Sequence, residues 1–294
     1  MMSVRSRRLS IGLFWLSGLV FLIYAVLRSM EVRLTNDIAG IILPVFIYGI
    51  AHMLRAVRLG VLLQARQVRR LLGLYFYTTA CSAVIPFKLG ELVRINEIAS
   101  WTNSYWRGLL VVWIERVFDV VALGAVALFI LSSGVQDPKD IGLLLWAISA
   151  FVFITLLFFF IVPEQLCSLN LHVIRSYKGR KAVNILRMLD SFHQLFEQVR
   201  PLLAGKLVTL SVLTIFIWGA ELFSIAILFE SLLWGNAASS LVHQFSVILG
   251  YGSRGESVAT FEGFKVLLLI SCGIVALLFY GRLRIHQSKG SKEQ

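Results

Sequence analysis

The chain has 294 residues, of which 58% are hydrophobic and only 15% charged, with a mean hydropathy of +0.81. That composition excludes a water-soluble surface and reads as a polytopic membrane protein. A net charge of +12 with a pI near 10.0 would suggest nucleic acid in a soluble chain, but here no basic domain stands apart from apolar runs of membrane length. Nucleic acid is therefore excluded as a partner, and the basic excess reads as topology information. The three cysteines are scattered without a CxxC, and none of the five histidines belongs to an HExxH or pairs with a cysteine at ligand spacing. Neither a disulfide framework, a metal centre nor a cofactor is expected.

A hydrocarbon core about 30 Å thick takes roughly 20 apolar residues as helix. In chain order, six runs bounded by charge qualify as spans: Leu9 to Leu27, Ile38 to Leu54, Gly108 to Leu131, Ile141 to Val162, Leu207 to Trp234 and Phe264 to Gly281. The first follows Arg5, Arg7 and Arg8 as a signal peptide would, yet it is longer than an h-region and no cleavage motif follows, so it is expected to stay as an anchor. Two further runs are too short to cross. Leu71 to Ile85 ends at Pro86, and Ala237 to Tyr251 is interrupted by Ser239, Ser240, His243, Gln244 and Ser246.

Lysine and arginine are retained on the cytoplasmic side, so their distribution tests the arrangement. If each short run enters and leaves by one face, 22 basic residues lie inside and five outside, with Arg116 in a helix; if both runs span, the balance is about 13 to 14. The expected fold is all-α, with about six transmembrane helices, two re-entrant half-helices and both termini in the cytoplasm. Paired interrupted segments of opposite orientation match an inverted-repeat transporter. The alternative is that each only completes a helical bundle, and no residue-level repeat decides between the two readings. Residues 1–294 form one integral membrane domain, with an amphipathic cytoplasmic or interfacial segment at 163–205 and a basic tail at 282–294. Within the former, Ile185, Leu189, Phe192, Phe196, Val199 and Leu203 make one apolar stripe, suited to the membrane surface or to neighbouring helices.

A charge at the bilayer centre costs about 2.5–3.5 kcal/mol on insertion scales, so ionisable residues inside apolar runs are functional candidates. After the short run come Pro86, Lys88, Gly90, Glu91 and Arg94. Pro86 ends a helix, Gly90 permits backbone to approach a ligand, and Lys88 with Arg94 at the cytoplasmic mouth would hold a phosphate, Glu91 steadying Arg94 or selecting a cationic headgroup. Glu115 and Asp119 share a helix face beside Arg116, where Arg94, Arg55 or Arg58 is placed to neutralise them. Glu221 lies within the fifth apolar run and Glu262 just before the sixth. For Glu115 and Arg116 the plain alternative is a polar lock between helices.

Leu54-Arg55-Ala56-Val57-Arg58, Ile85-Pro86-Phe87-Lys88-Leu89-Gly90-Glu91 with Arg94, and Glu115-Arg116 with Asp119 occur in an order and spacing that resembles the flippase-like integral membrane domain of lysylphosphatidylglycerol synthases and their stand-alone relatives. Phe261-Glu262-Gly263 corresponds to that family's acidic run, although its proline and preceding glycine are absent here. The resemblance implies translocation, across the cytoplasmic membrane, of a phospholipid or a polyprenyl-phosphate-linked glycan. Because only Arg282 to Gln294 follows the last run, no soluble aminoacyl-transferase domain is expected. With no Walker A motif and no aspartate-rich loop, an enzyme is not expected either. The competing readings are a membrane-embedded lipid-carrier transferase and a non-catalytic partner in an envelope-biosynthesis complex.

Overall fold

The computed structural model describes residues 16–27, 38–85, 89–133, 138–157, 183, 186, 189–190, 199, 201–228 and 256–290. Among these the fold is entirely helical. Its elements are α1 (Leu16–Leu27), α2 (Ile38–Leu63), α3 (Val68–Val84), α4 (Gly90–Thr102), α5 (Tyr105–Ser133), α6 (Pro138–Leu156), α7 (Leu207–Leu228) and α8 (Glu256–Gly290). The helices α2 and α7 are long and apolar enough to cross a membrane over Ile41–Leu63 and Leu207–Ile227, and Leu16–Leu27, Leu145–Leu156 and Gly263–Phe279 are shorter apolar stretches. The second short run, Ala237 to Tyr251, lies outside the described residues, as do Pro86 and Lys88.

At the centre stands α3. Its residues Leu74, Tyr75, Phe76, Tyr77 and Thr78 are all buried, on every side of the helix, which happens only when a helix is surrounded by others. It packs on α8, α4 and α2, while α2 also packs on α7 and α5 on α4 and α6. The chain leaves α3 at Ile85, whose extended φ of −83° and ψ of 122° is what a following proline imposes. It then returns as α4. Because the Arg70 guanidinium sits 4.7 Å from the Trp101 ring centroid, the start of α3 and the end of α4 lie at one level, and the two helices form a hairpin.

This hairpin is tight. A Cβ on Gly90 would collide with the backbone of Ser82, and one on Gly108 would come 2.6 Å from the Ile95 carbonyl oxygen, so α3, α4 and the start of α5 pack nearly backbone to backbone. Asn103, with φ 54°, makes the left-handed turn from α4, and the Ser104 Oγ accepts the Arg107 amide to start α5.

Burial is inverted relative to a soluble protein. Arg58 is 2% exposed, whereas Val208 is 77% and Trp146 74% exposed, along with Ile215, Phe216, Phe153 and Phe279. Apolar surface outside and charge inside is the distribution that hydrocarbon requires.

One expectation changes, and two are filled in. Helix α2 does not stop at Leu54 but runs to Leu63, so Arg55 and Arg58 belong to the helix rather than to a cytoplasmic loop. Their charges are met by carboxylates on other helices, which removes the penalty that would have ended it. Helix α8 continues to Gly290, so the first part of the basic tail is helical. In the amphipathic segment, Leu189 is buried and Val199 and Leu203 pack against the central core, so this part of the stripe faces neighbouring helices.

Candidate functional site

Eight charged side chains of the apolar bundle, four arginines and four carboxylates, pair across helices. The Arg58 Nη1 donates to Asp119 Oδ1 at 2.8 Å and to the Thr214 hydroxyl at 3.2 Å, joining α2, α5 and α7. Its Nε is 3.9 Å from Glu115 Oε1, while Arg94 Nη2 approaches the other Glu115 oxygen to 2.8 Å from α4. Arg116 Nη2 meets Glu91 at 2.6 Å across the α4–α5 contact, and its Nη1 is 3.7 Å from Asp119. A separate bridge of 2.7 Å runs from Arg55 to Glu221 on α7. Four arginines thus face four carboxylates, and the set is neutral.

The network is graded. Side-chain exposure falls from 40% at Arg116 and 23% at Glu91 to 4% at Glu115 and 2% at Arg58, so it opens to the surroundings between α4 and α5 and closes at α2. Its inner contacts are ion pairs of imperfect alignment. Neither oxygen of Glu115, nor Arg94 Nε and Nη2, nor Arg58 Nε makes a directed hydrogen bond among the described residues. Ionic groups held by charge proximity rather than by saturated hydrogen bonds retain capacity for another partner.

Depth follows from helix geometry. The open end of the hairpin is ringed by Arg66, Arg69, Arg70, Arg107 and Lys206. Beside Arg107, partial burial and then the neighbouring guanidinium lower the pKa of the Lys206 ammonium. Glu115 lies ten residues into α5, about 15 Å from that end, and Asp119 about 21 Å. The cluster therefore sits far inside the apolar part of the bundle.

Of the sequence-predicted residues, Arg55, Arg58, Glu91, Arg94, Glu115, Arg116, Asp119 and Glu221 are brought together in these two groups. Arg58 and Arg94 neutralise Glu115 and Asp119; Arg55 does not, because it is taken by Glu221. Glu91 holds Arg116 rather than Arg94. Nor do Glu91 and Arg94 sit at the basic rim. Arg94 is eight residues from the α4 terminus at the open end, about 12 Å in. Gly90 touches α3, not a space where ligand backbone contact is needed. Glu262 lies on α8, and its side chain is outside the described residues.

Among the buried polar residues that sequence reasoning passed over are His52, Tyr75, Glu97 and Thr214. His52 Nδ1 is 2.8 Å from the Tyr75 hydroxyl, and the Tyr75 ring carries the Arg94 guanidinium 5.3 Å from its centroid, so this pair adjoins the network. The signal for His52 was present, since it precedes Arg55 and Arg58 at intervals of three on one helix face.

The family model described as the lysylphosphatidylglycerol synthase TM region matches residues 6–253. The chain belongs to this family. A lysylphosphatidylglycerol synthase TM region is a membrane domain, with lipid-synthase or flippase-like associations, and the inverted burial described above agrees with it. No curated protein and no solved structure matches the chain. In this member of the family, the motif residues that carried the resemblance are the ones that meet in space: Arg58 from the first segment, Glu91 and Arg94 from the second, and Glu115, Arg116 and Asp119 from the third.

Proposed function

We propose that this protein translocates a phospholipid or a polyprenyl-linked glycolipid between the leaflets of the cytoplasmic membrane, without being an enzyme. The observation that carries this reading is the neutral charge cluster deep inside the bundle, graded in exposure and incompletely hydrogen-bonded at Glu115 and Arg94. A lipid headgroup crossing the bilayer needs polar partners at each depth, because an unpartnered charge there costs several kcal/mol. A phosphate entering between α4 and α5 meets Arg116 first and Arg94 further in. Each arginine released from its carboxylate gains a bidentate phosphate partner, while the carboxylates re-pair among the remaining guanidinium groups or accept a cationic headgroup. The acyl or prenyl chains stay in the hydrocarbon outside.

The test is reconstitution. Vesicles containing the purified protein are expected to expose fluorescent phospholipid of the inner leaflet to an impermeant quencher, whereas Arg94→Gln and Glu91→Gln, inserted at normal levels, abolish the movement. Near-normal scrambling by well-expressed Arg94→Gln would remove the cluster from the lipid path. Scrambling absent from the wild type with both lipid classes would overturn the translocator reading.

The same proposal includes six spans, two re-entrant segments and cytoplasmic termini, supported by the 22-to-5 distribution of basic residues and by the arginine-ringed open end of the α3–α4 hairpin. Cysteines placed at Asn103 and Lys178 are expected to resist an impermeant reagent added outside intact cells, and one at Gln136 to react. Labelling at position 178 from outside would reverse the arrangement.

A further inference from the structure

The helices that carry the charge cluster also fix where their ends lie. The Ser224 Oγ of α7 donates to the Pro44 carbonyl near the start of α2, and Thr214 accepts from Arg58 later in α2, so α7 runs antiparallel to α2. Asp119 of α5 meets Arg58, whereas Leu54, one turn earlier in α2, packs with the cluster around Leu123 and Ala127, so α5 runs antiparallel to α2 as well. Both helices therefore begin at the level where α2 ends. Arg107, in the first turn of α5, and Lys206, the residue before α7, belong to that end of the bundle. By helical rise Arg107 is about 18 Å from Asp119 and Lys206 about 12 Å from Thr214, well apart from the charge cluster.

These two cations differ from the rest of the basic rim. Arg66 and Arg69 are exposed, as rim charges ordinarily are. The Lys206 Nζ and the Arg107 Nε are buried, and among the described residues neither has a hydrogen-bond partner or a carboxylate within ion-pair distance. They also act on each other, since burial and then the Arg107 guanidinium lower the Lys206 pKa, with no anion to raise it. A lysine stem is long enough to carry its head to water, so an ammonium sealed beside a second cation is costly unless something compensates it. Lys206 also stands at the positive end of α7, which adds to the same field. In the charge cluster four arginines face four carboxylates; here two cations face none, and the missing charge must come from outside the chain.

The charge decides which anion fits. A carboxylate or a phosphodiester brings one negative charge to two cations. A phosphate monoester carries about −1.5 to −2 at neutral pH and has three terminal oxygens, enough to accept from both donors. Beside Lys206 there is room for it, because nothing lies within 4 Å of where a Cβ on Gly205 would stand. We propose that Lys206 and Arg107 form a phosphate-monoester site at the basic end of the bundle, separate from the charge cluster and independent of the translocator reading. The group it takes is a terminal phosphate, borne by a lipid headgroup at that interface or free in solution. Bound there, it ties the start of α5 to the start of α7.

The experiment places the full chain in phosphatidylcholine nanodiscs and follows its melting temperature as inorganic phosphate is titrated at constant ionic strength. In parallel, nanodiscs are doped with diacylglycerol phosphate, which ends in a monoester, or with phosphatidylglycerol, a diester, at equal surface charge. The monoester is expected to raise the melting temperature and the diester to raise it less. Lys206→Gln and Arg107→Gln should each raise the half-maximal phosphate concentration, in whichever form is active, more than about tenfold, the worth of a charge-assisted hydrogen bond. Arg66→Gln, the same charge change on the exposed rim, should leave it unchanged. Without phosphate both site variants should melt no lower than the parent, because each removes one of two repelling cations, and this separates loss of the site from misfolding. A response to diacylglycerol phosphate alone supports the site and identifies a lipid headgroup; a response to inorganic phosphate as well supports it and shows that the phosphate group suffices. No response to either form, an equal response to phosphatidylglycerol, or a response that survives both site variants would overturn the proposal. So would site variants that melt below the parent without phosphate, which would show that the two cations are already satisfied within the protein.

Discussion

Replacing Arg58 by leucine is expected to lower stability by about 3–5 kcal/mol, the cost of leaving a buried charge without its partner. Asp119 would lose its 2.8 Å bond, Thr214 its donor and Glu115 one of its two cations, with little exposed surface through which solvent could compensate. Leu59 and Leu62 beside it are fully buried, so the new side chain finds apolar company and the loss is electrostatic rather than steric. The check is the melting temperature of detergent-purified protein at matched yield. Adding Asp119→Leu should restore part of the loss, because the stranded carboxylate is then removed. Strictly additive losses in that double-mutant cycle would show that the two side chains do not interact.

The second large effect is expected at Gly90. Alanine there puts a methyl group into the backbone of Ser82, which has no rotamer by which to retreat, so the arms of the α3–α4 hairpin must separate. Overpacking of this kind typically costs about 1–3 kcal/mol. A contrast within the same bundle isolates the cause. Gly60→Ala approaches only the end of the Leu71 side chain, at 2.6 Å, and a smaller residue at position 71 should relieve it. No truncation of Ser82 relieves Gly90→Ala, since the obstacle is main chain. A melting temperature for Gly90→Ala equal to that of the parent would show that the hairpin yields freely there.

Much of this architecture was written in local terms. The break before Pro86, the shortness of the run Leu71 to Ile85 and the alternation of apolar runs with basic segments are properties of neighbouring residues, and α3 and its hairpin follow from them. What hydropathy could not carry was compensation at a distance. Reading along the chain, Arg55 and Arg58 look like the end of a span, because their carboxylates arrive on α5 and α7, with 61 positions separating Arg58 from Asp119. For the same reason Glu91 was matched to Arg94, three residues away, when its partner is Arg116 on the next helix. Gly90 is a simpler case: sequence says that a glycine admits something close, but not whether that neighbour is a ligand or another helix. His52 and Tyr75 were missed because one histidine and one tyrosine in apolar helices ordinarily signify packing, and only their pairing beside Arg94 gives them a context.

The dispersal of the charge pairs also governs how the chain enters the membrane. Of the helices in the network, α2 is made first and carries two arginines whose partners do not yet exist; α4 adds Glu91 and Arg94, α5 brings three charged groups of its own, and Glu221 follows on α7. Unpaired, Arg55 and Arg58 together would add about 5–7 kcal/mol to the insertion of α2 at the bilayer centre. A chain stopped after α6 leaves Arg55 unmatched, so the early helices must be retained by the insertion machinery or held at a water-accessible position until α7 emerges. Assembly of this bundle is therefore a late, collective event in synthesis, and quality control of truncated or slowly translated chains would act on the exposed arginines of α2.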